Sequence, residues 1–150
     1  MVVVLATQTR PFPHAMEPTL SDQHRDTLMS YVDAYNRRDW DQLTAHVSHD
    51  YVHHSGDQSL DLAGFIRGAQ WFFQGFPDFA VEVMDILSDT GRAAMRFVAR
   101  GTHHESLFGE TPTLRTVALD GITIYRFENG LIAEDWEMMD EQQLRRQIAA

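Results

Sequence analysis

The sequence contains no cysteine, which excludes disulfides, thiolate nucleophiles and cysteine-ligated metal sites. Positive charge is scarce: Lys+Arg 12 against Asp+Glu 22 leaves a formal net charge of −10. A nucleic-acid partner is not expected, because phosphate binding needs a cationic face. Docking on an anionic membrane surface is excluded on the same ground. No apolar run approaches the ~20 residues of a membrane span. The stretch Met1 to Ala6 is apolar, but it has no basic leader and is shorter than the ~7–15-residue core of a secretory signal. A cytoplasmic location is therefore expected. There is no Gly-x-Ser-x-Gly elbow for a serine nucleophile. A glycine-rich phosphate loop is also missing.

What is present fits one soluble domain. The chain has 150 residues, 43% hydrophobic and 23% charged, enough for a single sizeable core. Residues 1–20 hold Pro11, Pro13 and Pro18 and read as a non-helical N-terminal extension whose apolar start pairs at an edge or packs on a partner subunit. Residues 21–150 read as the domain. Ser21 is an expected N-cap. Leu28, Tyr31, Val32 and Tyr35 then recur at helical spacing, and the helix should end near Arg37-Arg38. Asp39 can cap a short helix with Trp40, Leu43 and Val47. Asp61 can start a third, carrying Leu62, Phe65, Ile66, Ala69 and Phe72, stopped by Gly75 and Pro77.

From Phe79 the period changes to that of strands: Phe79–Leu87, Ala93–His103, Leu114–Phe127 and Leu131–Met139. Asn129-Gly130 between the last two is a hairpin signal, since both residues tolerate positive φ. Tyr51 to Gly56 reads as a short strand or irregular stretch, and Asp140 as the cap of a final short helix. Helices followed by hairpin-linked strands predict an α+β fold, three N-terminal helices on a strongly curved antiparallel sheet with a pocket between. A homodimer is expected through the sheet's second face, to which Leu119, Tyr125 and Phe127 are assigned.

Strict alternation on the last strand places Ile132, Glu134, Trp136 and Met138 on one face. A carboxylate among apolar neighbours is costly to ionise, which suits Glu134 to general acid–base work. The structural alternative is a Glu134 that is solvated or paired with an arginine. Asp120 on the preceding strand lies near that register, and paired carboxylates drive pKa values apart. Its alternative is a solvated residue at an Asp-Gly bulge. His53-His54 and His103-His104 are adjacent pairs, so each supplies one inward ring at most. His54 or His103 is the expected inward ring, as a hydrogen-bond partner. No set of three or four converging ligands is evident, so no metal is expected. Trp71, Phe72, Phe73, Phe76 and Phe79 read mostly as core, some of them lining a pocket for a flat ligand.

Several segments carry a resemblance. Tyr51-Val52-His53-His54-Ser55, Phe76-Pro77-Asp78-Phe79, Gly101-Thr102-His103, Gly109 to Arg115 and Ile124 to Trp136 resemble the SnoaL-like polyketide cyclase family, over nearly the whole chain from about Ser21. The resemblance implies the cone-shaped fold of the nuclear-transport-factor-2-like superfamily. It also implies a pocket carboxylate on the last strand as acid/base, with a polar partner on the strand before. Those roles fall on Glu134 and Asp120, with His54 as donor or orienting partner. Tyr31, Tyr35, Phe65, His103, Ile122 and Trp136 are the expected substrate-binding residues. The chain departs from the family in carrying Glu for Asp on the last strand and Asp for His or another polar residue before it. The expected activity is cofactor-independent aldol cyclisation or isomerisation of a small hydrophobic, aromatic or polyketide-like carbonyl compound. The alternatives are a non-catalytic small-molecule binder, or a hydrolase or dehydratase of the same fold.

Overall fold

The computed structural model describes residues 19–149, so the edge strand or subunit contact expected of the N-terminal extension lies almost wholly outside the described residues. Helix α1 runs Leu20–Arg37. Its cap is Thr19, two residues earlier than the expected Ser21. Thr19 Oγ1 accepts the Asp22 N–H at 3.1 Å, and the Asp22 carboxylate accepts the Thr19 N–H at 3.0 Å. Ser21 instead donates to the Ser88 carbonyl at 2.9 Å, tying the helix to the sheet. Helix α1 ends where Arg38 turns left-handed at φ 58. Asp39 caps α2 (Trp40–Thr44), Asp61 caps α3 (Leu62–Gly75) and Asp140 caps α4 (Glu141–Ile148), all three as the sequence indicates. Val47 does not extend α2; it opens a strand.

The sheet has six strands: β1 (Val47–Ser55), β2 (Gln58–Asp61), β3 (Ala80–Ser88), β4 (Arg92–Thr102), β5 (Thr116–Glu128) and β6 (Leu131–Met139). Their spatial order is β2-β1-β6-β5-β4-β3. Neighbours are antiparallel except β1 and β6, which run parallel, so the expectation of a purely antiparallel sheet needs that correction. Tyr51–Ser55 belongs to a nine-residue strand, closed by Gly56 at φ 56, whose pairing brings it against the last strand of the chain. Asn129 and Gly130 turn the β5–β6 hairpin at φ 50 and φ 77, as Asn-Gly predicts. Helices and curled sheet together give the α+β cone.

One face of the sheet is covered. Leu28, Tyr31 and Val32 of α1 and Ala69 and Phe73 of α3 share one buried core with Val117, Leu119, Tyr125 and Phe127 of β5. The sequence pattern places these last three on the outer face; the structure buries them on the inner one. The outer face carries Met84, Ile122 and Met138, each 44–67% exposed, with Trp136 beside them. Helix α4 closes the end of the sheet. Beyond the last β6 rung, Gln147 takes the place of a strand, accepting the Ala118 N–H and donating to its carbonyl, both at 2.9 Å.

Gly121 is required by packing. A Cβ built there would stand 2.2 Å from Phe97 Cζ, because the tip of the Phe97 ring occupies that space. Gly121→Ala should therefore destabilise by about 1–3 kcal/mol through overpacking. Thermal melting checks this. An unchanged midpoint would mean that Phe97 moves aside freely.

Candidate active site

Strand β6 does not alternate evenly. Phe127 pairs with Ile132, but Arg126 pairs with Glu134, so Ala133 is an extra residue, a β-bulge. Ile132 is fully buried on the helix side. After the bulge Glu134, Trp136 and Met138 face outward, and Asp135, Glu137 and Met139 face inward. The expectation that Ile132 and Glu134 share a face fails for this reason: one inserted residue exchanges the two sides of a strand.

The inward residues form cross-strand rows. In the first, His53 pairs with Asp135, which pairs with Tyr125. In the second, Ser55 pairs with Glu137, Glu137 with Thr123, and Thr123 with Met95. Tyr31 and Tyr35 of α1 and Phe65 and Phe72 of α3 face these rows across a cavity of about 450 Å³. Among the described residues its lining is mostly aromatic and aliphatic, and it contains no lysine or arginine.

Asp135 is 2% exposed. One of its oxygens meets His53 Nδ1 at 2.7 Å, and the other accepts the Tyr51 hydroxyl at 2.5 Å. A buried carboxylate is tolerable only when paired in this way. The His53 ring packs on Phe65 with centroids 4.9 Å apart. Burial opposes charge on His53, but the hydrogen bond to Asp135 and the charges of Asp135 and Glu137 together outweigh it, so the ring titrates above the usual histidine value. Burial raises the Glu137 carboxyl above the ordinary glutamate value; the charge of His53 opposes this and that of Asp135 adds to it. Burial foremost, with the neighbouring charges, keeps Tyr31, Tyr51 and Tyr125 neutral far past their usual range. They are therefore proton donors in hydrogen bonds throughout the working pH range. Thr123 is 2% exposed, and its hydroxyl has no hydrogen-bond partner among the described residues. The Tyr125 phenol feels that hydroxyl, yet no bond of good geometry joins them.

The residues expected from sequence divide between the two faces. Tyr31, Tyr35 and Phe65 line the cavity. Glu134 lies outside it, with His54 Nε2 at 2.8 Å and Arg126 Nε at 2.9 Å. The His54 hydrogen bond, then that of Arg126, holds Glu134 below the usual glutamate value, the reverse of the rise expected. His54 stacks on Trp136 at 5.4 Å on the same outer face. Ile122 is 48% exposed there. Asp120 is exposed and pairs with Val98; Arg126, not Asp120, is opposite Glu134, about 20 Å further along β5. His103 is fully buried but away from the cavity, stacked on Phe76 and bonded to Thr113. Asp135, Glu137, His53 and Thr123 were not singled out for the site. The alternation of β5 (Val117, Leu119, Thr123, Tyr125 and Phe127 inward) was a readable signal for Thr123. Among the described residues no three His, Asp or Glu side chains converge as a metal site, and no helix is long and apolar enough to cross a membrane.

The family model for SnoaL-like polyketide cyclases matches residues 25–148. The chain belongs to the SnoaL-like polyketide cyclase family. No curated protein matches the sequence at a significant level. Solved structures similar to this SnoaL-like chain include IdmH of Streptomyces antibioticus, described as a proposed polyketide cyclase. It is 29% identical over 85% of this chain and 99% of its own, with a TM-score of 0.78. AclR of Streptomyces galilaeus, described as a proposed hydroxylase, is 27% identical over 84% of this chain and 95% of its own, at 0.77. A SnoaL-like protein of Jannaschia sp. CCS1 shares 17% identity over 90% of this chain and 97% of its own. At a TM-score of 0.79, that match speaks for the fold.

The cavity electrostatics make a prediction about stability. Because the folded state raises the Glu137 pKa, the stability contributed by its protonated form is present below the ordinary glutamate value. It is lost as pH rises through the raised value. Glu137→Gln stays neutral throughout. Its melting temperature should exceed that of the wild type by a margin that grows from acid toward neutral pH. A constant or shrinking margin would contradict the raised pKa of Glu137.

Proposed function

We propose that this chain is a cofactor-independent acid/base enzyme acting on a small, uncharged, hydrophobic carbonyl compound, with aldol closure of a polyketide-like substrate as the favoured reaction and isomerisation as its nearest neighbour. The observation that carries this reading is Glu137. It is a cavity carboxyl with a raised pKa, directly across the β5–β6 ladder from the Thr123 hydroxyl, which has no hydrogen-bond partner among the described residues. Raising a carboxyl's pKa makes its carboxylate a stronger base for removing a proton next to a carbonyl. Glu137 takes the α-proton, the C–H electron pair forms the enolate, and the Thr123 hydroxyl donates to the enolate oxygen. The tyrosines and Phe65 hold the flat carbon skeleton. The twelve cationic side chains are all arginine, so a lysine Schiff base is not available to the chain.

In place of Glu134 and Asp120 the base is thus assigned to Glu137, and the donor to Thr123. The expected binding roles of Tyr31, Tyr35 and Phe65 are retained. Those of His54, His103, Ile122 and Trp136 are not, because none of these residues lines the cavity. The outer-face setting of His54, Ile122 and Trp136 supports a different role for that face, that of the homodimer contact, through Ile122, Trp136 and Met138.

Proton exchange tests the reading with a generic ketone. In heavy water, 1-tetralone should exchange its α-protons faster with the protein than without it. Glu137→Gln should lower that acceleration by ~10²–10⁴, and Glu134→Gln should leave it nearly unchanged. Loss of exchange in Glu134→Gln alone would move the base to the outer face. Equal exchange in wild type and Glu137→Gln would favour a binding protein. For the dimer, light scattering should give twice the chain mass, falling to the monomer in Met138→Glu. A monomeric wild type would count against it.

A further inference from the structure

Proton abstraction by Glu137 covers half of an aldol closure. The enolate carbon then attacks a second carbonyl, and the alkoxide so formed needs a proton. We infer that His53, held by Asp135, is the group that protonates this alkoxide. The inference rests on the reading of Glu137 as base.

The geometry separates two stations. Asp135 and Glu137 are two residues apart on the inward face of β6, a spacing of about 6.5–7 Å. His53 pairs with the first and Ser55 with the second, so His53 and Glu137 sit in adjacent rows of the same cavity floor. A flat substrate lying across both rows presents its α-carbon to one group and its second carbonyl oxygen to the other.

His53 is built as a donor. Nδ1 is committed to Asp135 at 2.7 Å, and Asp135 is fixed in turn by Tyr51. The side chain is 8% exposed, and Nε2 makes no hydrogen bond among the described residues. The ring lines the cavity against Phe65. This is the arrangement in which a carboxylate orients an imidazole and stabilises its cation, leaving the far nitrogen free to serve the substrate. A histidine serving only to satisfy Asp135 has no need to present that nitrogen to a cavity. The titratable groups around it are Asp135 and Glu137 of β6, Tyr51 of β1, Tyr31 of α1 and Tyr125 of β5. The two carboxylates both favour its charged form.

The step balances. The Glu137 carboxylate receives the α-proton. The C–H pair becomes the new carbon–carbon bond, and the π pair of the second carbonyl moves onto its oxygen. The His53 imidazolium gives its Nε2 proton to that oxygen. The site has gone from a carboxylate and an imidazolium to a carboxylic acid and a neutral imidazole. One proton passed back from Glu137 to His53 resets it, and substrate and product are isomers.

The test separates exchange from closure on one probe, 2-(3-oxobutyl)-1-tetralone, an uncharged 1,5-diketone. Mass spectrometry in heavy water reads α-proton exchange; absorbance of the enone reads ring closure after dehydration. His53→Asn retains an N–H for Asp135. It should keep exchange within about threefold of wild type, lose roughly 100-fold in closure, and lose the alkaline limb of the closure pH profile. Closure at the wild-type rate, or closure and exchange lost in equal measure, overturns the inference. Should His53→Asn fold poorly, Asp135→Asn reports instead: the alkaline limb should move to lower pH, and a limb that stays in place overturns the inference. Glu137→Gln that retains exchange removes the base reading separately. A wild type that catalyses exchange without closure overturns the His53 assignment alone, and one that catalyses neither overturns both.

Discussion

The polar chemistry of the cavity depends on the phase of one strand. The Asn129-Gly130 turn sets Glu128 against Leu131 and Phe127 against Ile132. Continued without interruption, that register would bring Tyr125 opposite Glu134. The bulge at Ala133 advances β6 by one, and Tyr125 meets Asp135 instead. Every later residue of the strand changes sides with it. Ile132 can still fill the core ahead of the bulge while Asp135 and Glu137 reach the cavity behind it. Bulges next to active sites are a recurrent way of re-aiming side chains.

The same strand then carries three carboxylates into opposite environments. Glu134, on the outer face, is held ionised by His54 and Arg126 and lies below its usual pKa. Glu137, on the inner face, is desolvated and lies above it. Asp135 is deeper still and depends on His53 and Tyr51 for its hydrogen bonds. Desolvation and pairing push equivalent groups in opposite directions, so position on the pleat decides chemical role. Gly121 belongs to the same design. Its missing side chain leaves the space that the tip of the Phe97 ring occupies, in the row next to Thr123 and Glu137.

Much of this was legible in the sequence. Asp39, Asp61 and Asp140 cap the helices they were expected to cap. The Asn-Gly turn is where it should be, and the helical spacing of Tyr31 and Tyr35 puts both on the cavity. The family resemblance drawn from the strand segments holds over residues 25–148. The misplacement of the last-strand residues has one cause. Period-2 reasoning assumes an unbroken strand, and the face containing Ile132, Trp136 and Met138 is the more apolar of the two, so alternation alone makes it the inner one. Nothing local in Ile132-Ala133-Glu134 announces the extra residue. The choice between His53 and His54 failed for a related reason: neighbours on a strand point oppositely, and only the pairing of β1 with β6 decides which ring turns inward.

The most direct test of this account is a carbon-13 NMR titration of the side-chain carboxyls. Glu137 should titrate above the ordinary glutamate value and Glu134 below it, with both assignments fixed by their Gln variants. The opposite order would place Glu134 in the desolvated cavity and Glu137 outside. The bulge would then not set the phase of β6 as described.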